Sequence, residues 1–149
     1  MSINFARANK VSRVMNAVAA GTTDQTSSAV DMAGFEDCTF IAAFGALTAT
    51  QVTQMKAQQS SDDGVADAYS DLEGTLTGPL ADGDGNKLMV LEVYNPAKRY
   101  LKLVIDRGTA NAVIDGVVAI QSQARVLPVT QPSTVAFTEV HRSPAEGTA

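Results

Sequence analysis

The sequence predicts a mainly β protein: an antiparallel β-sandwich or jelly roll preceded by an N-terminal arm with a short helix. Three observations lead there. From about Ser27 onward the apolar pattern has a period of two. Turn signals such as Ala33-Gly34, Asn95-Pro96 and Asp106-Arg107-Gly108 recur at short intervals. Little of the chain has helical periodicity, and its 149 residues fit one domain. About six to eight short strands are expected in such an architecture.

Residues 1–23 stand apart as the arm. Arg7, Lys10 and Arg13 are their only charges, and no acid occurs before Asp24. Val11, Val14, Met15 and Val18 fall at i, i+3, i+4 and i+7, which predicts one face of a short helix. Ser2 or Asn4 would cap its start and Gly21 would end it. The run 14–20 has some look of a signal peptide, but Asn16 interrupts it and it is short for a signal core.

The sandwich domain is expected over 24–141. Residues 26–32 and 38–44 read as strands joined by a turn at 33–37. In the second, Phe40 is flanked by Cys38 and Ala42, and Ile41 by Thr39 and Ala43. Both faces are mostly apolar, so this strand should be covered on both sides. Thr50–Gln59 is read as a strand because Thr50, Val52 and Thr53 favour it. Residues 60–86 carry seven acids and no base, with five glycines, and read as a long loop excursion with one helical turn at 66–72. Leu88–Tyr94 and Arg99–Ile105 flank Asn95-Pro96-Ala97-Lys98, which fits a type I turn and predicts a hairpin. Asp106-Arg107-Gly108 then breaks the run. Strands follow at 112–121, 125–130 and 134–140, and 142–149 reads as a loose tail.

Composition excludes several function classes. One Cys rules out an internal disulfide, and one Cys with one His cannot form a Cys/His zinc site. A net charge of -5 without a basic run argues against nucleic acid as the partner, as does the scatter of Lys98, Arg99, Lys102 and Arg125. No apolar stretch approaches the ~20 residues that span a bilayer, so no membrane partner is expected. Asp82-Gly-Asp84-Gly-Asn86 opens like a calcium loop. Lys87 and Val93 then occupy the positions where that pattern needs Gly and Glu, so a Gly/Asp turn is preferred. Cys38 reads as a buried hydrophobe and His141 as a solvated or interface residue. No nucleophile elbow, P-loop or dinucleotide fingerprint is present. No catalytic residue, cofactor or metal is therefore assigned.

Whole phrases carry a resemblance. They are Ala29-Val-Asp-Met-Ala-Gly-Phe-Glu-Asp-Cys-Thr-Phe-Ile41, Lys56-Ala-Gln-Gln59, Asn86-Lys-Leu-Met-Val-Leu-Glu-Val-Tyr94 and Arg99-Tyr-Leu-Lys-Leu-Val-Ile-Asp-Arg-Gly-Thr-Ala-Asn111. Over roughly residues 24–149 the chain resembles the head decoration (cement) proteins of tailed bacteriophages, those of Chi-like, flagellum-dependent siphophages in particular. The resemblance implies a virion structural protein, made in the host bacterial cytoplasm, that sits on the outside of an icosahedral capsid. It would bind the major capsid protein between capsomers, as a homo-oligomer, and resist the pressure of packaged DNA. Such a protein needs a rigid body and reaching arms rather than reactive groups. The candidate contact residues are Arg7, Lys10 and Arg13, with Val11, Val14 and Val18 opposite them, and the C-terminal tail is a second candidate. Another virion part, a head–tail connector or tail-tube protein, is the alternative. A third is a small glycan-binding or hydrolytic module using Asp71, Glu73, Asp82 and Asp84.

Overall fold

Among the described residues one short helix and ten strands follow one another: α1 (Phe5–Ala8), β1 (Lys10–Met15), β2 (Val18–Gly21), β3 (Gln25–Thr26), β4 (Val30–Asp31), β5 (Asp37–Leu47), β6 (Val52–Ser60), β7 (Ser70–Asp71), β8 (Leu88–Tyr94), β9 (Tyr100–Gly108) and β10 (Ala112–Ser122). This computed structural model describes residues 4–142 and 145–146. The strands form two antiparallel sheets packed as a β-sandwich. In the first, β1 and β2 line one side of β10, followed by β5 and β8; in the second, β3 and β4 line β9, followed by β6 and β7.

Alternation builds the core. Cys38, Phe40, Ala42 and Phe44 of β5 and Ile114, Val117 and Ala119 of β10 face inward from the first sheet. Met55 and Ala57 of β6 with Leu101, Leu103 and Ile105 of β9 face them from the second, and all are buried. The alternation of β10 changes phase at a bulge between Ile114 and Gly116. Gly116 sits there at φ +145, and a Cβ would stand 3.2 Å from the Met15 carbonyl oxygen. Arg107 closes one end of the sandwich. It is buried, and its guanidinium donates to the carbonyls of Thr23, Ala19 and Ala112 at 2.8–3.0 Å, so β9 continues through the expected break at 106–108.

Several expectations are corrected. Residues 11–18 are not a helix; β1 pairs with β10 from Lys10↔Gln121 to Met15↔Val117, and β2 continues along the same strand. Val11, Arg13 and Met15 serve a strand as well as a helix, and the open side of β10 supplies a ladder that a lone helix lacks. The helix lies earlier, with Asn4 at its N-cap position and Gly21 ending a strand instead; Ser2 lies outside the described residues. The hairpin is also corrected: β8 pairs with β5 in the first sheet and β9 with β6 in the second. Asn95 adopts φ 47, and the five residues 95–99 carry the chain across the sandwich. The strand expected at 26–32 is divided into β3 and β4. The helical turn at 66–72 is absent, because Asp62 accepts the amides of Val65, Ala66 and Asp67 in a loop. Residues 125–130 and 134–140 form no strand. Most of the tail at 142–149 falls outside the described residues.

Two of the four sheet edges are lined by the chain itself, and a third is short. The Gln131 side chain accepts from Val11 N–H at 2.9 Å and Thr134 from Arg13 N–H at 3.3 Å, so the 129–134 segment lines β1. Residues 72–80 line β6 through Leu72, Thr75, Thr77 and Leu80. The β3/β4 edge is short, and Ser28 there bonds the Val14 carbonyl across the sandwich. The fourth edge, β8, pairs only with β5.

Candidate functional site

The outer face of the first sheet is built row by row from its register. Val11, Ile120, Thr39 and Glu92 form one row; Arg13, Val118, Ile41 and Val90 the next; Gly116, Ala43 and Leu88 a third. Leu88 is 62% exposed, Val90 60% and Tyr94, on the same face, 73%. Ile41, Val118 and Ile120 are half-buried. Arg13 and Asp115 stand at a shallow depression of about 260 Å³ floored by Ile41, Ala43, Gly116 and Val118. Arg13 Nη2 comes 3.4 Å from where a Gly116 Cβ would be, so the missing side chain lets the guanidinium lie across the sheet. Among the described residues Arg13 makes no ion pair, and neither do Arg7 and Lys10. An apolar sheet face with a free cation at its margin offers burial and one charged hydrogen bond to a protein surface.

The outer face of the second sheet has the opposite chemistry. Gln54, Lys56 and Gln58 of β6 and Lys102 and Asp106 of β9 point outward, and the acidic excursion folds back over them. Lys56 Nζ lies 2.9 Å from Asp71, Lys98 Nζ 2.7 Å from Asp67, and Lys102 Nζ 3.9 Å from Asp63 and 4.0 Å from the Tyr69 ring centre. Hydrogen bonds from Lys98 and then from the Ser61 amide and hydroxyl bring the Asp67 carboxyl down to about 2. Hydrogen bonds from Gln58 and Lys56 lower Asp71. Four of the seven acids of the excursion, Asp63, Asp67, Asp71 and Asp84, are paired with the protein's own lysines.

The sequence-derived contact residues separate. Arg7 is exposed on α1. Lys10 opposes Gln121 and sits 6.0 Å from the Phe35 ring centre, on the inner side of the sheet. Val11 and Arg13 reach the outer face. Val14 is 6% exposed and belongs to the core, and Val18 packs against that core. These two therefore hold the sandwich together rather than meeting a partner, a consequence of strand rather than helix geometry. Ile41, Leu88, Val90, Tyr94 and Val118 were missed as surface residues. Their signal was visible, since β5 is apolar on both faces, yet only its inner face is covered by the described residues.

The remaining candidates disperse. Cys38 is fully buried, and burial pushes its thiol up to about 12. His141 is exposed and lies 2.9 Å from Glu139. Asp82 accepts the Thr50 amide at 3.0 Å, while Asp84 accepts Ala81 N–H at 2.9 Å and Lys87 Nζ at 2.6 Å. Asp71 bonds Gln58, near the other end of β6 from Thr50. At ~3.3 Å per residue the two groups of acids are roughly 25 Å apart, too far to act as a pair. Among the described residues no three His, Cys, Asp or Glu converge on a metal position, and no helix is long and apolar enough to cross a membrane. A scan against models of known protein families finds no match, and a search of curated proteins finds no relative.

Proposed function

We propose that this chain is a virion structural protein that decorates the outer surface of a tailed-phage icosahedral capsid and stabilises it by binding between capsomers. The observation that carries this reading is the apolar outer face of the first sheet, with Arg13 free beside it, on a body whose other face is closed by ion pairs. The phrase-level resemblance to head decoration proteins points to the same role. The partner is the major capsid protein, met by Ile41, Val90, Val118 and Arg13, with Arg7 on the helix ahead of the sheet adding a second cationic contact.

Co-sedimentation with expanded, undecorated heads tests it. The full chain should pellet with the heads, and Ile41→Lys should lose about 100-fold in affinity, the scale of one desolvated charge at an interface core. Removing residues 1–9 should cost less, because that truncation leaves β1 in place. Removing residues 1–20 is a poor test, since it takes Val14 and Met15 out of the core. Wild-type binding that Ile41→Lys leaves unchanged overturns the surface assignment. Rings or tubes of purified protein in negative stain would favour a connector or tail-tube role instead.

A further inference from the structure

The open edge of β8 is the one long edge that the described chain does not cover. At its two ends, the Lys87 carbonyl accepts from Phe44 N–H at 3.1 Å and Asn95 N–H donates to Glu36 at 2.7 Å. Antiparallel alternation then turns the backbones of Met89, Leu91 and Val93 toward β5 and those of Leu88, Val90, Glu92 and Tyr94 outward. The same even-numbered residues place exposed Leu88, Val90 and Tyr94 on the outer face. Within the strand this edge has no lysine, proline or bulge, and Glu92 is its one charge, so it is weakly protected against pairing with another strand.

We propose that β8 pairs antiparallel with β8 of a second copy of this chain, about a twofold axis at Val90. This rests on the assembly reading above and names the self-contact within it. Three features favour a second copy over another occupant. The outward-facing amides and carbonyls of one β8 edge meet an identical set when turned by a twofold, so every pair is satisfied reciprocally. Charge disfavours the registers that bring the two Glu92 side chains together. With Val90 opposite Val90 of the second copy, Glu92 faces Leu88 and the two glutamates lie about 14 Å apart, beyond the ~8 Å screening length. A slip that sets Glu92 against its own counterpart brings them within about 5 Å. The pairing also joins Leu88, Val90 and Tyr94 of both copies to the apolar face already described, giving one continuous surface twice as wide. The area is modest: a seven-residue edge with three exposed side chains buries less than the ~1,200 Å² total of weak complexes. The free dimer is therefore weak, and binding of many copies to one shell would reinforce it.

Sedimentation velocity on the full chain, from micromolar to near-millimolar concentration, tests the pairing. The wild type should pass from monomer to dimer across that range. Val90→Pro removes an outward-facing donor without touching the β5 ladder, and should weaken self-association about tenfold or more while keeping a cooperative melt. Val90→Lys, which keeps the backbone intact, should do the same. Val90→Cys should cross-link to a covalent dimer under mild oxidation, and Leu88→Cys, about 14 Å from its counterpart in this register, should not. A wild type that stays monomeric throughout overturns the proposal. So do Val90→Pro and Val90→Lys variants that dimerise normally, or equal cross-linking at 88 and 90. A dimer that does not pellet with heads would instead refute the capsid reading and leave the edge pairing standing.

Discussion

The two outer faces of the sandwich are made by strands of similar length and the same period of two, yet they end in different states. On the second sheet, Lys56, Lys98 and Lys102 each find a carboxylate from the 61–71 excursion, and the chain finishes its own surface. On the first, Ile41, Val90, Val118 and Leu88 form an apolar field with Arg13 unpaired at its margin, and no described segment covers it. The chain satisfies one face with its own residues and leaves the other apolar. That difference is what supports the proposed interface, and it needs no reactive group.

The largest effect comes from crossing from the inner to the outer side of β5. Phe40→Ala should destabilise the fold by about 4 kcal/mol, because it empties a fully buried ring position. Ile41→Ala, one residue away on the open face, should cost about 1 kcal/mol or less. Denaturant melts of the two variants check this. Equal losses would mean that the outer face is covered after all.

A smaller effect separates the faces by pH. The Asp67 carboxyl, held at about 2 by Lys98 and Ser61, and Asp31, lowered first by its hydrogen bond with Arg99, both have folded values below the ~3.9 of a free carboxyl. Groups depressed in this way stabilise the fold above the unfolded value and lose that contribution as pH falls through the folded one. Thermal stability should therefore be level above about pH 5 and fall between about pH 4 and 2. Asp67→Asn should shrink the acid drop and leave head binding unchanged, whereas Ile41→Ala should leave the shape of the pH curve unaltered. The smallest effect belongs to Cys38, whose thiol should react with a thiol reagent at neutral pH only as the protein unfolds.

The class of fold and most strand positions are legible in the sequence, because a period of two survives any change of neighbour. What cannot be read is which strand lies beside which. β8 and β9 have the composition of a hairpin, and 95–99 have the length of a hairpin loop, yet those residues bridge the two sheets. Likewise β5, β6, β8, β9 and β10 alternate between sheets along the chain, so every long ladder is non-local. The Val11/Val14/Val18 spacing misled for a related reason: an edge strand with a bulge between Arg13 and Met15 can imitate helical periodicity over about two turns. The proposed face was half legible. Arg13 was singled out by charge placement and Val11 by apolar spacing, and both lie on the outer face, while the cover that the two-sided apolarity of β5 predicted is not supplied by the described residues.

The unequal faces can be compared most directly by hydroxyl-radical footprinting of the protein free and bound to capsids, read at its three tyrosines. Tyr94 lies on the first sheet's outer face, 73% exposed, while Tyr69 and Tyr100 belong to the ion-paired side. Binding should strongly protect Tyr94 and leave Tyr69 and Tyr100 at their free rates. Protection of Tyr69 and Tyr100 with Tyr94 unchanged would place the interface on the wrong face and contradict the assignment.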